Sequence, residues 1–322
     1  MKLKGRTILV LCLLVFGGYA AFDHFQGKLQ EDKKMQDSRL MTLNFEQVNE
    51  VLIEKGDQKT ELKRDVDGWR MEVPLKDSAD SEAVDDLVKQ AFTESIVEVV
   101  KEGEGIDWKL YGLDAPLGTI TFKTTDGKQN RYEVSSITNF EDNAFLRRDG
   151  ENRVLLVNSI WQARTGKAAM EFRDRRLLRH KIASVDEIKL QNAKGLVHLK
   201  RQEGVWVIPG KSDFKVDQNQ VRSVLTAIAD AKAAEILSDP KKGPAVKELF
   251  TLNLVLDAKP WAAKVGQAAD KKIFAKVTEP DFLMKMEPGA VDNFIEMTIE
   301  QFKEKPPEKP QFETEKTQKK EN

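Results

Sequence analysis

At 322 residues the chain is long enough for two domains of ordinary size, and 40% hydrophobic with 33% charged residues suits a folded protein with a well-solvated surface. The formal net charge is -1, so the basic excess that a phosphate backbone demands is missing and nucleic acid is not an expected partner. A single cysteine, Cys12, excludes an internal disulfide, and three scattered histidines (His24, His180, His198) do not suggest a zinc site.

Lys2, Lys4 and Arg6 precede an apolar run from Ile8 to Phe22. Basic residues stay on the cytoplasmic side, so residues 1–22 are expected to form a signal anchor, N-in, with residues 23–322 extracytoplasmic. The small residues Gly17 to Ala21 leave a cleaved signal peptide open as an alternative. Residues 23–44 are polar and charged and read as a juxtamembrane stalk.

A first unit is expected over residues 45–170. Val51, Ile53 and Thr60–Lys63 alternate as strands, Asp67-Gly68 turns, and Trp69–Val73 returns as a strand that Pro74 ends. Asp80 is placed to cap a helix whose Val84, Leu87, Val88, Ala91 and Phe92 share one face. Ile96–Val100 reads as a strand. Two hairpins follow, Thr119–Thr124 with Asn130–Val134 and Ala144–Arg148 with Arg153–Val157, turning at Asp126-Gly127 and Asp149-Gly150. A short helix is expected over Ser159–Arg164. The fold class is α+β, an antiparallel sheet with packed helices.

The same order recurs after a basic linker, residues 171–186. Glu50–Ile53 matches Glu187–Leu190, Leu62–Arg64 with Trp69 matches Leu199–Arg201 with Trp206, and Glu98–Val100 matches Glu235–Leu237, all offset by 137 residues. The same offset pairs Phe145-Leu146 with Phe282-Leu283. Asp217 replaces Asp80 as the cap, with Gln220 three residues on, and Val221, Val224, Leu225, Ile228 and Ala229 repeat the helix face. The second, diverged unit is expected over residues 187–302. The remaining tail, 303–322, is charged and Pro-containing and is expected to be disordered.

The stretch Leu110-Tyr111-Gly112-Leu113-Asp114-Ala115-Pro116, then Phe145–Gly150, Val154–Val157 and Phe172–Leu178, resembles the bacterial DUF4340 family over roughly residues 45–300. The resemblance implies a membrane-anchored extracytoplasmic protein of unknown activity, some relatives being encoded beside gliding-motility-type ABC transporter components. In the second unit Leu249–Leu252 keeps only a trace of Leu110–Leu113, since Asn253 and Val255 stand where Asp114 and Pro116 would be.

Two regions are candidate partner contacts. In the first, Gly112 permits positive φ, Asp114 can cap amides, Pro116 fixes the exit, and a partner would dock on Trp108 and Tyr111. The same residues also suit a rigid turn that feeds the next strand. In the second, Arg173, Arg175, Arg176 and Arg179 can hold lipid phosphate or an acidic partner, or make salt bridges. The carboxylates Asp77, Asp80, Glu82, Asp85 and Asp86 lack the spacing of a calcium loop. Neither a nucleophile elbow nor a phosphate-binding loop occurs, so no catalytic, cofactor-binding or metal residue is assigned. The expected function is that of a non-enzymatic accessory or scaffold subunit of a membrane complex, with ABC transporter permease or ATPase subunits as the partners. The alternative is a carrier or sensor of a small ligand such as a lipid or glycan.

Overall fold

The computed structural model describes residues 38–237 and 243–304. The expected anchor, most of the expected stalk and nearly all of the expected tail lie outside the described residues. Among the described residues no helix is long and apolar enough to cross a membrane. The chain divides into two compact units between Asp174 and Arg175. Each consists mainly of antiparallel sheet with few helices.

The first unit runs β1 (Val48–Lys55), β2 (Gln58–Asp65), β3 (Gly68–Val73), β4 (Asp77–Ser78), α1 (Ser81–Thr93), β5 (Glu98–Glu102), β6 (Gly118–Thr124), β7 (Gln129–Thr138), β8 (Asn143–Arg148), β9 (Arg153–Asn158) and α2 (Ile160–Gly166). Its nine strands lie in the order β4-β3-β2-β1-β6-β7-β8-β9-β5. Alternate residues of the central strands, among them Val51, Ile53, Ile120, Phe122, Tyr132, Val134, Leu146 and Leu155, face a single core. The helix α1 begins where Asp80 accepts the Ala83 amide at 3.2 Å. It buries Val84, Leu87, Val88 and Ala91 in that core, each worth about 1–3 kcal/mol by area. Phe92, expected on the same face, is half-buried and stacks on Phe45 at 4.8 Å. Because α1 connects β4 to β5, it carries the chain from one sheet edge to the other.

The second unit runs β10 (Val185–Asn192), β11 (Gly195–Gln202), β12 (Val205–Val207), α3 (Gln218–Asp230), β13 (Ala233–Leu237), β14 (Val246–Leu256), β15 (Lys259–Ala268), β16 (Ile273–Val277), β17 (Leu283–Met286) and α4 (Asp292–Ile295). The strand order β12-β11-β10-β14-β15-β16-β17-β13 is that of the first unit without β4. The likeness extends to register: Glu50 pairs with Lys63 as Glu187 pairs with Lys200, and β1 and β10 are both irregular one residue before these glutamates. The Trp69 amide donates to Ser81 Oγ, and the Trp206 amide to Gln218 Oε1, at matching positions. Asp217 accepts the amides of Asn219 and Gln220 at the start of α3.

Three expectations are corrected. Residues 38–44 are not stalk: Leu40, Met41 and Leu43 are buried in the first core, and Arg39 pairs with Ser95. Residues 171–186 are not a linker. Phe172 is buried in the first core and Leu177, Leu178 and Val185 in the second, with Arg176 pairing with Lys232 as Arg39 does with Ser95. The third concerns Phe145-Leu146 and Phe282-Leu283, which are not equivalent. Leu146 pairs with Leu155 as Ala275 pairs with Met284, so Phe145 is matched by Phe274. Shorter connections in the second unit change the offset between β13 and β14, where Phe122 is matched by Leu254, whereas the 137-residue offset holds as far as β13.

Tyr132 links the first seven described residues to the core. Its hydroxyl donates to the Leu40 carbonyl at 3.0 Å. Burial holds its pKa well above the ordinary phenol range, with Arg148 opposing the shift. A group raised on folding stabilises fully below its unfolded value of about 10 and loses that contribution as pH rises through the folded one. Of the three tyrosines, Tyr132 is therefore expected to stay neutral in an ultraviolet titration to about pH 11, ionising only on unfolding. Three tyrosinates in the still-folded protein at that pH would contradict this.

Candidate functional site

The loop after β5 is built from turn chemistry. Asp107 accepts the Lys109 amide and opens a 3-10 turn, Trp108–Tyr111. Gly112 ends it at φ 62°, where a Cβ would sit 2.7 Å from Ser135 Oγ and 2.9 Å from Ile137 Cδ1, so glycine is required on two grounds. Trp108 lies under the Arg147 guanidinium at 4.2 Å, and Tyr111 meets Phe145 edge-on at 5.3 Å. Leu113 is buried, and Pro116 leads into the Leu117 amide, which donates to Val134. The capping assigned to Asp114 is made by Asp107, and Asp114 itself is exposed. The aromatic rings are thus engaged against β8, and Leu110 is the large apolar side chain of this turn left to solvent.

The four arginines are divided between the two units. Arg173 is 5% exposed, and its Nε donates to the Asp77 carboxylate inside the first unit. Arg175 donates to the Ala233 carbonyl at 3.1 Å and pairs with Glu287 at 3.3 Å inside the second. Arg176 is exposed, and Arg179 lies over the Phe282 ring at 4.9 Å. Arg173 thus fixes a chain end within the first unit and Arg175 one within the second.

The acidic run is similarly divided. Asp77 pairs with Arg173, Asp80 caps α1, and Asp85 accepts both Trp69 Nε1 and Arg64. Among the described residues no group of three or more His, Cys, Asp or Glu is placed to hold a metal ion. His198 lies in β11 with its Nε2 at 2.7 Å from Glu187 Oε1. Glu187 is held below the ordinary carboxylate range chiefly by Lys189, against the effect of burial, with His198 adding to Lys189.

Two recesses were not foreseen, because each depends on how the short helix after the last strand of a unit meets distant residues. In the first unit Arg164 of α2 reaches Gln90 on α1 at 3.1 Å and Glu94, which caps its end, at 3.5 Å, and lies over the Trp161 ring at 5.0 Å, closing the gap between the helices. In the second unit the positions of Gln90 and Glu94 are taken by Ala227 and Ala231, and α4 spans four residues where α2 spans seven. A groove of about 840 Å³ opens there, floored by Val224, Ala227, Phe294 and Met297. Its edge carries Asp217, Glu300 and Glu304 against Lys303.

The second recess, about 410 Å³, lies in the first unit between the β1–β2 hairpin and the end of α2. In the second unit the corresponding space is occupied by Asn192, whose Nδ2 donates to the carbonyls of Phe294 at 3.0 Å and Met297 at 2.9 Å. Each unit therefore closes the recess that the other keeps open. The only sequence signals for this are the small residue at Ala227 and the polar Asn192 ending an apolar strand.

Residues 69–248, more than half of the chain, match a family described as a domain of unknown function, DUF4340. The match is narrower than the resemblance over residues 45–300: it runs from Trp69 into β14 and includes both the Trp108–Pro116 loop and the arginines from Arg173 to Arg179. No curated protein and no solved structure matches the chain.

Proposed function

The chain belongs to the DUF4340 family, domains of unknown function, and from that premise we propose a non-enzymatic, membrane-anchored envelope protein that serves as an extracytoplasmic scaffold in a membrane complex. Residues 1–22 anchor it, N-in, in the bacterial inner membrane, and residues 23–322 stand in the periplasm. The proposed partners are permease or ATPase subunits of an ABC-type transport system. The anchor keeps the two units near such a complex and raises their effective concentration there.

The observation that carries this reading is the open groove of the second unit. Its floor is apolar, and its edge has three carboxylates against one ammonium. That chemistry suits a positively charged amphipathic segment of a partner, with the apolar side chains over Ala227 and Met297 and the basic ones against Glu300 and Glu304. In the first unit Arg164 occupies the equivalent position, so the two units are not interchangeable as docking surfaces.

Chemical crosslinking in membranes, followed by purification and mass spectrometry, tests the proposal. Wild-type protein is expected to bring down transporter subunits, and Ala227→Trp, which fills the groove, is expected to reduce their recovery at least about tenfold, a loss of about 1.4 kcal/mol. Tyr111→Ala/Asp114→Ala is expected to retain them, since the Tyr111 ring is engaged on Phe145 and neither residue lines the groove. Loss in the loop variant with retention in Ala227→Trp would move the contact to the first unit, and recovery of the protein alone would overturn the proposal. Equal thermal midpoints would establish that the variants remain folded.

A further inference from the structure

The smaller recess in the first unit has a different chemistry from the groove. Its volume of about 410 Å³ is within the ~300–1,000 Å³ usual for small-molecule sites. Ile53, Val73 and Pro74 supply apolar surface. Lys55, Lys59 and Lys167 line it against a single acid, Asp57.

Each lysine is positioned by a neighbour that leaves donors over. The Lys55 ammonium is 3.4 Å from where a Cβ on Gly166 would stand, so it lies over the last turn of α2. Lys59 pairs with Glu61 at 3.3 Å, and the Lys167 ammonium lies 4.4 Å from the centre of the Phe172 ring. An ammonium has three donors, and none of these contacts uses all of them.

Were the recess a by-product of joining the hairpin to the helix, both units would have it. In the second unit Asn192, at the position of Lys55, fills the space by bonding to α4 at Phe294 and to Met297 just beyond it, and Leu196 and Met297 stand where Lys59 and Lys167 do. The first unit has both the space and the charge.

We infer that this recess binds a small anionic amphiphile, its phosphate or carboxylate head against Lys55, Lys59 and Lys167 and its apolar part on Ile53, Val73 and Pro74. The site is separate in chain position and charge from the proposed partner groove, and neither depends on the other being correct.

Calorimetric titration of the full chain, in a neutral detergent that does not bind, tests it with octyl phosphate as the probe. Octyl glucoside supplies the same tail on a neutral head, and inorganic phosphate the head without a tail. Octyl phosphate is expected to bind at least tenfold more tightly than either, and octanoate is expected to follow it. Lys59→Gln/Lys167→Gln, which removes the net positive charge at exposed or half-buried positions, is expected to weaken it at least tenfold. Ala168→Trp, on the exposed wall, is expected to abolish binding with an unchanged thermal midpoint. Octyl glucoside binding as tightly would show an apolar cleft without head recognition. Equal binding of inorganic phosphate would show a simple anion site. Either of those results, or no binding of octyl phosphate, overturns the inference. Ala227→Trp is expected to leave this titration unchanged, so failure here and failure of the partner groove are read separately.

Discussion

Asp77→Ala is expected to destabilise the first unit by about 3–5 kcal/mol, because it takes the carboxylate out of a buried ion pair. The Arg173 and Asp77 side chains are 5% and 6% exposed. The contact joins β4 to the last residues of the unit, where the Asp174 amide also donates to Ser78 and the Asp80 amide to Phe172. Removing the carboxylate also frees the Ser78 amide that Asp77 accepts. The buried pair as such need not be strongly favourable, since desolvation offsets much of its attraction. Arg173→Met/Asp77→Leu is therefore expected to recover most of the loss. Urea unfolding checks both variants through the midpoint at constant slope. A loss below about 1 kcal/mol for Asp77→Ala would show that water solvates the pair, as it does at a protein surface.

Trp161→Ala is expected to cost about 3–5 kcal/mol by leaving a large cavity in the first core. Trp161 is fully buried, stacks on Tyr132 at 5.4 Å and supports Arg164 from below. Its indole Nε1 has no hydrogen-bond partner among the described residues. A buried donor left unpaired costs about 1–3 kcal/mol. Trp161→Phe removes that donor with a smaller loss of volume, so it is expected to cost less than about 1.5 kcal/mol. Equal losses for Phe and Ala, measured in the same urea series, would mean that the indole nitrogen is satisfied in solution. Because Arg164 rests on this ring, Trp161→Ala is also expected to loosen the closure between α1 and α2.

How much of this was legible depended on the range of the interactions. The strands β1, β2 and β3, the caps Asp80 and Asp217 and the buried faces of α1 and α3 are written in local spacing, and the register confirms the repeat that relates them. Leu40 and Met41 stood in a polar stretch with no periodic partners, so nothing local marked them as core. The Phe282-Leu283 match was false because shorter connections change the offset from β14 onward, and a fixed offset cannot follow that change. The basic run from Arg173 looked continuous along the chain, yet it crosses the boundary at Asp174 and is divided between the units.

The candidate sites were less legible than the fold. The Trp108–Pro116 loop was recognisable as a turn, and the structure engages its rings on Arg147 and Phe145. The groove and the lysine recess arise where α2 and α4 differ in length and where Arg164 and Asn192 reach residues distant in sequence. Those are long-range consequences of two copies diverging, and periodicity within either copy does not encode them.

The most direct test of the account is site-specific photocrosslinking in native membranes, with a benzophenone amino acid placed at Ser223 in one variant and at Asp86 in another. The two positions are equivalent and both exposed, but Ser223 borders the open groove and Asp86 lies on the helix that Arg164 closes against. The account predicts a discrete protein adduct from position 223, absent from position 86 and lost when Ala227→Trp is added. The same adduct from both positions, or one that survives Ala227→Trp, would contradict it.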